Sequence, residues 1–339
     1  MDSSAGYSLS MTVCVTGAGG FIGSHLVELL LSQGRSVRAL VEYNSNQDLG
    51  WLNDIKHPNL EVISGDIRDA GQMRMFTREA ETVIHLAALV AIPYSYLAPE
   101  SYFQTNVLGT LNVLEAARSA GVQRFIHTST SEVYGTARFT PISEAHPLQA
   151  QSPYSASKIS ADALAFSYWT SFDFPVVIVR PFNTFGPRQS MRAIIPTLIA
   201  QAISGRESIK VGSLHPIRDF TFVMDTALGF AAALDGSSQI EGKTINLGTG
   251  YGLSISDLVK LIGDVMGRSL EIEFDEKRSR PEKSEVDELV SDNSLARDIL
   301  NWEPKMIGEA GLRDGIRATA HWLEHYVRSG LIDPEKYAR

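Results

Sequence analysis

Two short stretches hold side chains whose types and spacing suit proton chemistry. In YSASK, Tyr154 and Lys158 stand four residues apart within a helix pattern that opens after Ser152 and Pro153. That spacing sets phenol and ammonium on one helix face, and a nearby cation favours the phenolate, so the tyrosine can act as a base near neutral pH. Alone, such a pair reads as a solvated helix face. In TSTSEVYG, Thr128 to Gly135, hydroxyls and the carboxylate of Glu132 follow directly on the apolar run RFIHTST. They form either a polar turn by which the chain leaves a sheet or a row of groups facing a substrate.

A third stretch binds rather than reacts. TGAGGFIG places Gly17, Gly20 and Gly23, with Phe21 and Ile22 between them, after an apolar run and at the opening of a helix pattern. Glycines there allow a tight turn, close approach of backbone N–H groups to a pyrophosphate, and close packing of helix on strand, while the helix N-terminus adds partial positive charge. A dinucleotide site of this kind uses an acidic residue at the end of the second strand. Glu42 is the candidate, although it stands one residue further on than expected and an ordinary surface glutamate is the alternative. No arginine follows that strand at once, which tilts the choice toward NAD over NADP. Asp66 and Ile67 in SGDIRD are placed to meet an adenine amino group and face; a turn aspartate capping the next helix is the competing reading.

These groups need elements to hold them. From Met11 the chain alternates β-branched runs with amphipathic stretches: MTVCVTG, SVRALV, LEVISGD, TVIHLAA, RFIHTST and PVVIVRP are separated by helix patterns, one of them long, between TVIHLAA and RFIHTST. Alternation of this kind predicts a parallel sheet covered by helices, and the strands lack strict polar alternation because both faces are covered. After Pro181 the segments shorten, with helices predicted over 194–204, 223–233, 256–266 and 312–328. The charged EKRSRPEKSEVDE stretch, 276–288, predicts a solvated loop. The expected division is a leader over 1–10, a nucleotide-type domain over 11–181 with a return segment near 221–248, and a smaller domain from 182–220 and 249–339.

Composition narrows the partners. The 339 residues carry a formal net charge of −9, which disfavours nucleic acid or an anionic membrane as the main partner and favours a small soluble one. Cys14 is the single cysteine and lies within an apolar run, so no disulfide framework exists and a small buried hydrophobe is expected there. The opening ten residues hold no basic region and no apolar run of signal length, and no stretch reaches about 18 apolar residues, so the expected compartment is the cytoplasm.

In chain order, the glycine loop, HLAA at 85–88, NVLGT at 106–110, TST at 128–130, YSASK, RPFNTFGPR at 180–188 and RDFTFVMD at 218–225 resemble the extended short-chain dehydrogenase/reductases that act on nucleotide sugars. The likeness runs from about Met11 to near the C-terminus. It narrows through LVAIPYSYLAPESY, TSTSEVYGTA, QSPYSASK, RPFNTFGPRQSMRAIIPTLI and RSRPEKSEVDELVSDNSLARDILNWEP, which resemble the nucleotide-linked N-acetylglucosamine 4,6-dehydratases of legionaminic-acid-type pathways. The resemblance implies a Rossmann-like doubly wound parallel sheet with a smaller α/β substrate-binding domain, and NAD as cofactor. By motif position it implies that Tyr154 takes the proton of the sugar 4-hydroxyl, with Lys158 lowering its pKa and holding the nicotinamide ribose. Thr130 then hydrogen-bonds the same oxygen. Asn106 supports the lysine or its water, Ser129 faces the nicotinamide, small Ala87 and Ala88 let the cofactor pass, and Leu86, Thr128 and Pro181 complete its wall.

The same resemblance implies a task for Glu132. Hydride transfer from C4 leaves a ketone that acidifies the C5 hydrogen; a carboxylate in reach removes it, water leaves from C6, and the hydride returns to C6. The pattern resembled by dTDP-glucose dehydratases has an aspartate where Ser131 stands here. Either Glu132 passes the C5 proton on to the C6 oxygen or Ser131 orients the hydroxyl, and the Ser-Glu pair resembles that of GDP-mannose dehydratases. The family pattern sets Asn183, Arg188, Arg218 and Arg280 around the diphosphate, with Arg280 otherwise a surface cation, and Tyr94 and Ser95 against the hexose. The implied reaction is 4,6-dehydration of GDP- or UDP-N-acetylglucosamine. A UDP-glucuronate decarboxylase, with Arg280 or Arg192 beside the substrate carboxylate, is the rival; a C4 epimerase needs no base at Glu132, and a cofactor-binding sensor would lack the Tyr-Lys pair. Two helices, from 98–120 and after Ser152, carry surplus apolar residues and in resembling proteins form a homodimer contact.

Overall fold

The computed structural model describes residues 12–206 and 208–333. The expected leader over 1–10 lies outside the described residues. Seven strands form the main sheet in the order β10-β6-β5-β4-β1-β2-β3, every neighbouring pair parallel. They are β1 (Thr12–Thr16), β2 (Ser36–Glu42), β3 (Leu60–Gly65), β4 (Thr82–His85), β5 (Arg124–Thr128), β6 (Val176–Pro181) and the later β10 (Thr244–Leu247). Every residue of β4 and of β6 is buried, as continuous β-branched runs demand when helices cover both faces.

One face packs on α1 (Phe21–Ser32) and α8 (Val223–Asp235) through Leu26, Val27, Leu30, Ala227 and Phe230. The other packs on α2 (Ala70–Phe76), α5 (Gly109–Ser119) and α6 (Pro153–Phe172) through Met73, Phe76, Val113, Leu114 and Ala165. This is a Rossmann-like doubly wound α/β fold. From β1 the chain adds β2 and β3 on one side and then crosses to β4 on the other, so the loops after β1 and β4 diverge and open a crevice at the carboxyl ends of the strands.

Between β4 and β5 the single long helix expected from sequence is interrupted. α3 (Ile92–Leu97) and α4 (Pro99–Tyr102) lead into a wide π turn over Phe103–Leu108 before α5 begins. The widened turn buries Asn106, and nothing in residue type marks such a bulge.

The remaining elements form smaller sheets. β7 (Asn183–Phe185), β9 (Ile217–Phe222), β11 (Gly252–Ser254) and β13 (Glu288–Leu289) make one, and β8 (Ser208–Val211) pairs with β12 (Glu271–Phe274) in another. Around them pack α7 (Ile194–Ile203), α9 (Ile255–Met266) and α11 (Gly308–Arg328) on a core that includes Phe185, Leu198, Leu258 and Ile316; α10 (Ser294–Leu300) returns to the main sheet. The four predicted helices of this half are thus α7, α8, α9 and α11, with ends shifted by a few residues. Among the described residues no helix is long and apolar enough to cross a membrane.

Candidate active site

The crevice is a cavity of about 820 Å³. Gly17, Gly20, Phe21, Ile22 and Gly23 line it from the loop between β1 and α1; Leu86, Ala87 and Ala88 line it from the end of β4, and Thr128 and Ser129 from the end of β5. Pro181 closes β6 on the same wall, while Glu42, Asp66 and Ile67 stand at the ends of β2 and β3. Sequence reasoning missed the loop 44–50, whose Asn44, Asp48 and Leu49 complete this end.

The lining suits an extended ligand with a diphosphate at its centre. α1 is twelve residues long, carries no side-chain cap and has no acid in its first turn, so its amino end offers uncompensated N–H groups to the cavity. Close packing brings it there: a Cβ on Gly23 would sit 2.2 Å from the Gly17 carbonyl oxygen. The Thr128 hydroxyl on the cavity wall is buried without a hydrogen-bond partner. Asp66 holds Arg68 at 2.6 Å, and Glu42, which also attracts Arg68, lines the cavity at the end of β2.

The residues expected to handle protons line the same cavity. Thr130 leaves β5 with an extended backbone and its hydroxyl accepts from the Glu132 N–H at 3.3 Å, starting a single 3₁₀ turn over Ser131–Tyr134. Both Ser131 and Glu132 are buried and line the cavity. Opposite, α6 begins with a reciprocal cap: Ser152 accepts from Ser155 N–H at 3.1 Å and the Ser155 hydroxyl reaches back, with Pro153 in the first turn. That start fixes Tyr154 and Lys158 on the helix face turned to the cavity.

Burial raises the Tyr154 phenol well above its usual range; the Thr130 hydroxyl opposes this and the Glu132 carboxylate adds to it. Burial is the largest of these influences. Lys158 donates from Nζ to the Thr128 carbonyl at 2.5 Å, and burial draws its own pKa down to about 8 while Asp162 opposes the fall. Proximity on one helix face therefore did not decide the balance, because desolvation outweighs it here. Behind the lysine, buried Asp162 accepts from Ser129 at 2.6 Å and from Arg180 at 2.9 Å, a carboxylate that sequence reasoning missed.

A second cavity of about 480 Å³ adjoins the first, and Asn183 and Thr184 line both. Arg192, Arg218 and Arg280 line the second one. Arg280 Nη1 lies 3.5 Å from Glu132 Oε1 and 3.9 Å from Glu285 Oε1, and Arg218 lies 3.6 Å from Glu285. The 276–288 stretch is only partly the solvated loop expected: Glu276, Lys277, Pro281, Glu282, Lys283 and Asp287 are exposed, but Arg280 and Glu285 pair with one another, Glu285 pairs with Arg218 of β9, Val286 is buried, and Ser284 bonds the Tyr96 hydroxyl at 2.6 Å.

Three expected positions fall elsewhere. Tyr94 lines the first cavity, but Ser95 is fully buried and its hydroxyl turns back to the Ile92 carbonyl at 2.7 Å within α3. Arg188, at φ +70°, points away from both cavities to α1, where it meets Glu28 at 2.7 Å and Ser24 at 3.2 Å. Asn106 is off the cavity wall as well; it holds both the N–H and the carbonyl of Leu89 and donates to the Ser157 hydroxyl beside Lys158 at 3.0 Å.

Residues 14–315 match the family model described as GDP-mannose 4,6 dehydratase. The low-salt glycan biosynthesis protein Agl12 of Haloferax volcanii is 34% identical over 307 residues, 89% of this chain and 96% of its own. The solved structure of DesIV, a dTDP-glucose 4,6-dehydratase from Streptomyces venezuelae with NAD bound, is 29% identical, superposes with a TM-score of 0.83 and covers 96% of this chain and 100% of its own. A UDP-glucuronic acid 4-epimerase from Bacillus cereus, also with NAD, reaches a TM-score of 0.85 at 29% identity over 93% and 99%. Relatives of this breadth thus bear the names of dehydratases, epimerases and, in one case, a UDP-glucuronic acid decarboxylase. The glycine-lined crevice, the Tyr154–Lys158 helix and the match over nearly the whole chain lead to one conclusion: this protein belongs to the GDP-mannose 4,6 dehydratase family of NAD-dependent short-chain-dehydrogenase-type enzymes that modify nucleotide sugars.

Proposed function

We propose that this protein is an NAD-dependent 4,6-dehydratase of a nucleoside-diphosphate N-acetylhexosamine, with UDP- and GDP-N-acetylglucosamine as the substrates to test. One observation carries the reading: a buried carboxylate, Glu132, shares a cavity wall with Thr130, Tyr154 and Lys158. An epimerase needs only the last three. In this reading residues 11–181 with the return segment 221–248 hold the cofactor, and 182–220 with 249–339 hold the nucleotide sugar.

NAD, when bound, supplies a hydride acceptor at C4, a hydride donor at C6 and a positive charge that favours a phenolate. The amino end of α1 and Gly17 to Gly23 would hold its diphosphate, Glu42 its adenosine ribose, Asp66 and Ile67 its adenine, and Lys158 its other ribose. Burial raises the Tyr154 pKa, and with the cofactor's positive charge beside it Tyr154 would act as the phenolate that takes the O4 proton while Thr130 steadies that oxygen. Glu132 takes the proton from C5 and passes it to the leaving O6, with Ser131 orienting the hydroxyl. Arg218, Arg280 and Asn183 hold the diphosphate in the second cavity through charged and amide N–H groups.

A second reading rests on the 3.5 Å approach of Arg280 to Glu132, since a cation there suits the carboxylate of a UDP-glucuronate and decarboxylation at C5. Incubation with NAD and each of UDP-N-acetylglucosamine, GDP-N-acetylglucosamine and UDP-glucuronate, read by mass spectrometry, separates the two. Loss of water from a hexosamine supports dehydration, and loss of carbon dioxide from the glucuronate overturns it. We further propose a homodimer through α4 to α6, where Phe103, Leu108, Phe166 and Phe172 are exposed.

A further inference from the structure

The Arg280–Glu132 ion pair stands on the wall between the two cavities: Glu132 lines the first, Arg280 the second. Its geometry is loose for so buried a place. Nη1 of Arg280 is shut off from solvent, lies 3.5 Å and 3.9 Å from the Glu132 and Glu285 carboxylates, and makes no hydrogen bond. A buried guanidinium nitrogen left without an acceptor is costly, and an oxyanion brought to hydrogen-bond distance removes that cost. Arg218 and Arg192 also line the second cavity, which thus gathers three arginines. The Asn183 carbonyl oxygen, on the boundary between the cavities, is also buried without a partner.

We propose that Arg280 serves two anions in turn, holding the Glu132 carboxylate until the sugar nucleotide arrives and then moving onto its diphosphate, which releases Glu132 to act as a base. The proposal rests on the reading of the second cavity as the diphosphate site. The backbone need not move for the exchange. Arg280 is flanked by Arg278, held to Asp275 at 3.1 Å, and by Ser284, whose hydroxyl bonds both Tyr96 and the Gln151 carbonyl, so the segment is tied on both sides and only the long side chain swings.

Charge balance gives the exchange its purpose. The charged and titratable groups around Glu132 are Arg280 and Glu285 from this segment, which meet at 3.9 Å, Arg218 from β9, Tyr96 from α3 and Tyr154 from α6. Burial pushes both phenols up, so the cations Arg280 and Arg218 carry the attraction felt by Glu132. While it holds the guanidinium, the carboxylate faces a cation and not the sugar; once that cation turns to the diphosphate, its oxygens are free to meet a carbon-bound hydrogen. The base is thereby armed only when a nucleotide is seated.

Calorimetric titration of UDP and of GDP into the full-length protein with NAD present tests this without turnover. Run at neutral pH on single and double variants, it gives the coupling between the two side chains. Glu132→Gln is expected to bind the nucleotide several-fold more tightly than wild type, because Arg280 no longer has to leave a carboxylate. Arg280→Gln binds roughly tenfold more weakly and loses most of that gain, whereas Arg218→Gln weakens binding and keeps it. Equal affinity in wild type and Glu132→Gln, or a full gain that survives in the Arg280→Gln background, overturns the proposal. The sugar and the reaction class are decided separately by product masses, so an error there leaves this result intact.

Discussion

Replacing Asp162 by asparagine asks how a carboxylate off the cavity wall governs the residues on it. Asp162 follows Lys158 by one helical turn, accepts from Ser129 Oγ at 2.6 Å and from Arg180 at 3.2 and 2.9 Å, and lies 3.2 Å from His127 Nε2. Burial works against its charge, but His127, Arg180 and Ser129 more than offset this and hold its pKa at about 2, against 3.8 for the free side chain. That difference is worth about 2 kcal/mol of native-state stability. Because folding depresses the pKa, the contribution is present above the unfolded value of about 4 and is lost as pH falls through about 2. Asparagine also leaves the Arg180 charge unpaired, which raises the expected cost at neutral pH toward 3–5 kcal/mol, roughly the cost of breaking a buried pair. Urea unfolding of wild type and variant at pH 7 and at stepwise lower pH measures both: the gap between them should be widest at pH 7 and close on the acid side. Activity supplies a second arm. Asp162 opposes the burial that lowers Lys158 to about 8, so its loss moves the alkaline fall in kcat/KM, expected near 8 in wild type, to lower pH. Stability within about 0.5 kcal/mol of wild type at pH 7, or an unmoved alkaline limb, refutes the reasoning.

Glu132→Gln should cut product formation by roughly 10²- to 10⁴-fold while still reducing the cofactor on addition of substrate, visible in the near-ultraviolet spectrum; Tyr154→Phe should lose the reduction as well. Glu42→Arg should weaken NAD binding about tenfold and strengthen NADP binding, measured by calorimetry, since it exchanges a ribose-hydroxyl acceptor for a phosphate partner. Leu108→Glu and Phe166→Glu, on the exposed apolar face of the helices from α4 to α6, should each reduce the mass found by light scattering to that of one chain.

The sheet was legible because its strands are covered on both faces: MTVCVTG or PVVIVRP cannot avoid showing a run of buried, β-branched residues. Gly17, Gly20 and Gly23 were legible for the same kind of reason, since the close approach of helix to strand leaves no room for another residue at Gly23. Positions that depend on distant partners were not. Arg188 stands where the family pattern puts a diphosphate ligand, yet its partner Glu28 lies 160 residues earlier and captures it. The 276–288 stretch reads as solvated by composition, and the acceptors for its arginines, Glu132 and Asp275 among them, show only in three dimensions. The π turn that buries Asn106 has no residue signature, and the energetic reversal at Tyr154 follows from how deeply the helix is packed, a property spacing does not encode.

Gly50, which sequence reasoning passed over, shows how such a distant contact can reach the cofactor. It adopts φ +64°, and a Cβ there would stand 2.4 Å from the carbonyl oxygen of Gly19 in the glycine loop. The same oxygen accepts from the Trp51 N–H at 3.0 Å, so loop 44–52 is buttressed directly on the turn that leads into α1. In Gly50→Ala the left-handed backbone alone costs roughly 1–2 kcal/mol, and the methyl group then forces one of the two loops to give. Trp51 is pinned edge-on against Trp322 and Tyr326 of α11, with centroids 5.4 and 6.2 Å away, so the glycine loop yields first. Displacement of Gly19 by a few tenths of an ångström spoils the alignment of the α1 amino end, and NAD affinity should fall about tenfold together with a modest drop in melting temperature. Calorimetry of NAD binding beside a thermal scan separates the outcomes: a lower melting temperature with unchanged affinity would place the strain in loop 44–52 instead and break the proposed link between that loop and the cofactor.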